Sequence, residues 1–235
     1  MRLVVPGFLL LSAAFLCPAL YGFDPVLSGG SLDLKPRVEY NRSFRFCYGF
    51  QAEGGLEFND RYAILAGLSS GQLDDEPEIN AFAGQRYLLP FSRASLGINF
   101  RYIYNGIPGY GYNSHSFIPF GSIEGKYGGL LLGNILRYTV YRDSPAIFEP
   151  VLAYYAYINI INITTGKIRL SIGMANFSPF MAGNLGSYFF TVKSLVRLSG
   201  QVALVNEFDF CQTGGIGLSS VLYGAAWRGG VRLAW

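Results

Sequence analysis

Residues Ser43 to Phe58, S-F-R-F-C-Y-G-F-Q-A-E-G-G-L-E-F, alternate without a slip. Phe44, Phe46, Tyr48, Phe50, Ala52, Gly54, Leu56 and Phe58 hold the even positions, all apolar or glycine. Ser43, Arg45, Cys47, Gly49, Gln51, Glu53, Gly55 and Glu57 hold the odd ones, mostly polar, charged or small. A period of two gives a strand with unlike faces. At roughly 3.3 Å per residue the run is about 50 Å long, beyond the roughly 25 Å apolar band of a membrane barrel even when tilted. The stretch reads as one stave of a transmembrane β-barrel, greasy side out and charged side in.

The same alternation recurs along the chain. Ser31 to Tyr40 sets Leu32, Leu34, Pro36, Val38 and Tyr40 against Asp33, Lys35, Arg37 and Glu39, with Pro36 a local defect in the ladder. Further strands fall at Tyr62 to Leu68, Ile79 to Tyr87, Ala94 to Tyr104, Phe117 to Glu124, Leu130 to Tyr141, Val151 to Ile161, Ile168 to Met174, Tyr188 to Leu198, Val202 to Phe210 and Trp227 to Trp235. Phe82, Ile118 and Phe120 sit on the wrong phase, and the last two suggest a bulge. Asn59-Asp60 is a turn. Ser69 to Glu76, Asn105 to Ser116, Tyr141 to Phe148, Phe177 to Gly186 and Gln212 to Tyr223 read as long polar loops. The expectation is an all-β, antiparallel up-and-down barrel of about twelve strands. Ten is the alternative, because the Asn41-Arg42 connection is short where a long one is due.

Hydrophobic residues make up 51% of the chain and charged residues 14%, with a mean hydropathy of +0.28. Soluble domains carry about a quarter charged residues, and helical membrane proteins need apolar runs of about 18 or more. Beyond the N-terminus the chain has no such run. Its 17 Tyr and 19 Phe suit aromatic girdles; a soluble β-sandwich with an aromatic core is the competing reading. The net charge of +3 comes without a basic cluster, which excludes a nucleic-acid partner.

Arg2 followed by Leu3 to Leu16 reads as a secretory signal, cleaved near Cys17-Pro18-Ala19 or Leu20-Tyr21-Gly22. Residues 1–22 are then the signal peptide and 23–235 a single barrel domain. Bulky Leu16 before Cys17 argues against lipidation. Cys47 and Cys211 are either a disulfide or two lumen thiols.

In the last strand Trp227, Gly229, Val231, Leu233 and Trp235 share one face. Here the chain resembles bacterial outer-membrane β-barrels, whose assembly signal is a final alternating strand ending on an aromatic residue. The resemblance implies Trp227, Val231, Leu233 and Trp235 as that signal, with the barrel assembly machinery and the lipid bilayer as partners and the outer membrane as location. Phe is the usual last residue, so Trp235 departs mildly from the pattern.

Gly49, Gly55, Gly97 and Gly173 lie on the polar face, where a crowded lumen gains from missing side chains and a solvated exterior does not. Candidate lumen charges are Lys35, Arg37, Arg45, Arg101, Lys167, Arg169, Lys193, Arg197, Arg228 and Arg232, with Asp33, Glu39, Glu53, Glu57, Glu207 and Asp209. Opposite signs on neighbouring strands make such charges tolerable in a narrow interior. About twelve strands lies between filled barrels and open porins, which predicts passive passage of small hydrophilic solutes. The basic excess predicts a weak anion preference. The alternative is a closed barrel with a structural or surface-contact role, using Asn105 to Ser116 and Phe177 to Gly186 as contact loops.

No enzyme chemistry, metal site or cofactor is expected. His115 is the only histidine, too few for a His-based zinc site. Outer-membrane phospholipase A and the lipid A deacylases use His-x-Ser on a strand. In Ser114-His115-Ser116-Phe117, Phe117 stands where their serine belongs, so a lipid hydrolase is the least supported reading.

Overall fold

The computed structural model describes residues 26–41, 45–73, 76–91, 94–142, 144–161, 167–178, 187–213 and 221–235. The signal-peptide and Cys17 readings lie outside these residues, as does the side chain of Arg45.

Twelve strands follow one another: β1 (Leu27–Asn41), β2 (Arg45–Phe58), β3 (Tyr62–Leu73), β4 (Glu76–Phe91), β5 (Ala94–Ile107), β6 (Tyr112–Gly125), β7 (Gly128–Tyr141), β8 (Ser144–Ile161), β9 (Ile168–Ala175), β10 (Ser187–Arg197), β11 (Val202–Thr213) and β12 (Val221–Ala234). Each pairs antiparallel with its sequence neighbours, and β1 pairs with β12 to close the barrel. The ten-strand alternative falls. At the seam Gly30 and Trp235 exchange both backbone hydrogen bonds, 3.0 and 3.1 Å. The ladder from β1 to β12 runs from Ser31 to Leu34 and resumes at Arg37. Pro36, which has no N–H to give, sits in that interruption. Across it Gly230 comes so close that a Cβ there would lie 1.9 Å from the Leu34 carbonyl oxygen.

Phe46, Tyr48, Phe50, Leu96, Ile98, Leu130, Leu132, Leu152, Ile158 and Ile160 are exposed on the outer wall. An apolar exterior of this extent belongs against lipid rather than water. Exposed aromatics gather toward both rims, with Tyr40, Phe46 and Tyr138 at one and Phe91, Tyr127 and Trp235 at the other. Trp227, Val231, Leu233 and Trp235 all face outward on β12 and its final residue.

Val26, the Asn59-Asp60 turn and Trp235 lie at one end, called here the turn end. There Asn59 and Asp60 adopt positive φ (50° and 54°) and the Arg61 N–H donates to the Phe58 carbonyl at 3.1 Å, a two-residue hairpin of the type whose twist suits the strands. At the opposite, loop end the expected long loops are shorter than the sequence suggests. Ser69 to Glu76 is mostly strand: β3 runs to Leu73 and β4 starts at Glu76. Between β5 and β6 only a 3-10 turn at Pro108–Tyr110 and Gly111, in the left-handed region at φ 63°, lie outside strand. Tyr141 to Phe148 is also largely strand. The polar residues that look like loop are lumen residues. Ser69 accepts from Arg37 and Asn80 (3.2 and 3.3 Å), Asn105 donates to Asn80 at 2.8 Å, and Ser114 accepts from Thr139 at 3.5 Å. Asn105 to Ser116 is therefore not the contact loop expected. Most of Phe177 to Gly186 and of Gln212 to Tyr223 lies outside the described residues.

Candidate lumen site

One side of the lumen is a zipper of ion pairs. The odd residues of β1 (Asp33, Lys35, Arg37 and Glu39) all point inward and are buried. The β1–β12 register sets Asp33 against Arg232, and the β11–β12 register sets Glu207 against Arg228. Arg232 grips Asp33 with two parallel bonds, Nε to Oδ1 at 2.6 Å and Nη2 to Oδ2 at 2.7 Å. Lys35 lies against Glu53, 3.2 Å from Glu207 and 3.8 Å from Asp33. Lys193 reaches Glu53 at 3.7 Å and Glu207 at 3.6 Å. Arg228 pairs with Asp209 and, at 3.3 Å, with Glu207. Toward the loop end Arg37 pairs with Glu39 and, at 3.0 Å, with Glu78. The side chains of Lys35, Arg37 and Arg228 are at most 1% exposed. Charges this deep persist only when each has an opposite neighbour and hydrogen bonds.

The facing side is different. Ile103, Ile118, Phe120, Leu131, Ile135, Ala153 and Phe177 form a buried apolar cluster, with Phe82, Tyr155 and Tyr157 against it. All belong to β4–β8 except Phe177, which follows β9. This corrects the expected bulge. The β5–β6 register passes Ile118 and Phe120 without a shift, opposite Arg101 and Asn99. Ile118, Phe120 and Phe82 are in phase and point inward as apolar filling.

Of the expected lumen charges, Asp33, Lys35, Arg37, Glu39, Glu53, Lys193, Glu207, Asp209, Arg228 and Arg232 come together in the zipper. Arg101 stands apart, its guanidinium 5.6, 5.8 and 6.0 Å from the ring centres of Phe82, Phe120 and Phe177. Glu57 is more than half exposed near the turn end, 3.6 Å from Arg86. Arg169 and Arg197 are exposed at the turn-end mouth. Lys167 precedes β9 and is exposed, a correction to its placement as a lumen strand residue. Glu78, Arg86, Glu124, Tyr155 and Tyr157 were not in the expected set. Glu78, Arg86 and Glu124 carried the signal, an inward phase with a charge.

The interior narrows along its length. A turn-end vestibule of about 560 Å³ is lined by Glu57, Arg169, Arg197, Gln201 and Arg232 among others. A central chamber of about 350 Å³ lies between the zipper and the aromatic side. Leu65 lines both. Beyond Phe177 and Phe189, among the described residues, a space bordered by Ile103, Ile118 and Arg137 measures about 10 Å³. The glycines fit this crowding: a Cβ on Gly97 would meet Ser122 Oγ at 2.1 Å, and one on Gly173 the Tyr155 ring at 2.9 Å.

Cys47 and Cys211 are buried free thiols. Cys47 donates to Glu78 at 3.5 Å. His115 faces outward, its Nδ1 2.7 Å from the Tyr102 hydroxyl, while Ser114 and Ser116 are buried on the lumen side. Phe117 shares the outer face with His115.

A closed barrel of twelve antiparallel strands, apolar outside and charged inside, has solved counterparts. The KdgM porin matches with TM-score 0.56 and 11% identity over 87% of this chain and 99% of its own. The NanC porin matches with TM-score 0.56 and 10% identity over 85% and 98%. This is the fold of the outer-membrane porins. The translocator domain of the autotransporter NalP from Neisseria meningitidis shares it too, with TM-score 0.51 and 12% identity over 95% and 94%. No protein-family model matches the chain, and no curated protein matches it in sequence. Porin and translocator on one fold mean that function must be argued from the lumen.

Proposed function

We propose that this chain is exported by its N-terminal signal into the bacterial outer membrane and forms a narrow, porin-like passive channel for small hydrophilic solutes. The observation that carries this is the stepwise cavity, a 560 Å³ vestibule leading to a 350 Å³ charged chamber. A barrel built only as a wall has no need to keep such a volume lined by ionised groups. Anion preference is weak, because the central charges neutralise one another. It arises at the mouth, where Arg169 and Arg197 have no ion-pair partner among the described residues. The KdgM and NanC porins lend the fold-level analogy.

The test is conductance of the refolded protein in planar bilayers under a potassium chloride gradient. Small discrete steps with a reversal potential on the chloride side are expected. The closed, structural barrel is the second reading, favoured by the 10 Å³ narrowing near Phe177. Silence from both the native protein and Phe177→Ala establishes that reading and ends the first.

A further inference from the structure

Among the cations lining the central chamber, Arg86, Lys193 and Arg228 each have carboxylates within 4.0 Å. Arg101 has none, and its guanidinium makes no hydrogen bond among the described residues. Its surroundings are the rings of Phe82, Phe120 and Phe177. The nearby acids are committed elsewhere. Glu124 accepts from Ser122 and Tyr157 at 2.9 and 3.3 Å and faces Arg86 at 3.5 Å, while Glu53 and Glu207 are shared by Lys35 and Lys193. A guanidinium is a planar fork of five donors matched to a carboxylate, and here the whole fork is left over beside an aromatic surface.

We infer that the central chamber holds a binding site for a small ring-bearing carboxylate, with Arg101 taking the carboxylate and Phe120, Tyr155, Tyr157 and Phe177 contacting the ring. The 350 Å³ volume falls in the range of small-molecule pockets. The ligand enters from the vestibule, past Leu65, so the site does not depend on passage through the loop-end narrowing. It therefore goes beyond the channel proposal, and either can fail without the other. A free inorganic anion would use the fork and leave the rings without a partner. A neutral ring compound would do the reverse.

The probe is benzoate, titrated into the detergent-solubilised full-length barrel by calorimetry, with benzamide as its uncharged counterpart. Benzoate binds and benzamide binds about tenfold or more weakly, the worth of a charge-assisted hydrogen bond. Arg101→Met abolishes the difference, with heat-modified gel mobility reporting that the barrel still closes. In case that variant does not fold, the Arg101 side-chain Nε–H resonance of the native protein is followed by NMR, where benzoate shifts it and benzamide does not. Equal affinities for the two probes, binding that survives Arg101→Met, or an unmoved resonance each overturn the assignment. Chloride at matched ionic strength displacing benzoate one for one also overturns it, since the rings then contribute nothing.

Discussion

The zipper side, from β10 through β12 to β1 and β2, and the aromatic side, from β4 to β9, border one lumen and fill it by opposite means. On the first, five cations (Lys35, Arg37, Lys193, Arg228, Arg232) share five carboxylates of the same strands (Asp33, Glu39, Glu53, Glu207, Asp209) and a sixth, Glu78, that reaches in from β4. On the second, isoleucine, leucine and phenylalanine pack as in the centre of a soluble domain. Inverting a barrel for lipid thus does not demand a polar interior throughout. A lumen face must be filled or paired, and either chemistry serves. Ion pairing also dictates which groups sit opposite one another, whereas apolar filling constrains mainly volume.

The sharpest way to break this contrast is to remove one charge. Arg228→Met leaves Asp209 and Glu207 without their guanidinium, and unfolding of the vesicle-inserted barrel in urea is expected to show a loss of about 3–5 kcal/mol. Adding Asp209→Leu to it recovers much of that loss. A single variant as stable as the native protein would mean the zipper is solvated rather than dry. On the aromatic side Ile118→Val removes one methylene from a fully buried position, with an expected cost of about 0.5–1.5 kcal/mol in the same assay. A far greater cost would show that this side is as exacting as the other. The smallest effect belongs to the mouth. Arg169→Gln with Arg197→Gln is expected to change stability by no more than about 0.5 kcal/mol while moving the reversal potential toward the cation side.

Most of the barrel was legible because the side-chain period is two and the hydrophobic contrast between faces is steep. In β2, β5, β8, β9 and β12 the alternation assigns each face correctly. It fails where face and chemistry part company. Phe82, Ile118 and Phe120 point inward and are apolar, so a rule equating inward with polar reads them as errors of register. Ser69, Asn105, Ser114 and Ser116 are polar and belong to strands, so a rule equating polar clusters with loops cuts those strands short. The zipper was legible as a set of residues on one phase. Its pairings were not, because they depend on the closing register between β1 and β12, which spans nearly the whole chain. Arg101 was legible as a lumen charge, but the lack of a carboxylate within 4.0 Å of it among the described residues required the register of β4, β5 and β6 together.

That closing register has a consequence for how the chain can mis-assemble. A slip of one residue at the seam turns grease into the water side and is rejected at once, but a slip of two keeps every face correct. In the observed register Asp33 meets Arg232 and Arg37 meets Arg228. Sliding β12 two residues one way brings Arg228 opposite Lys35; sliding it the other way brings Arg232 there. Either slip also takes Arg232 away from Asp33, so a single alignment of the first and last strands sets that doubly bonded pair face to face when the cylinder shuts.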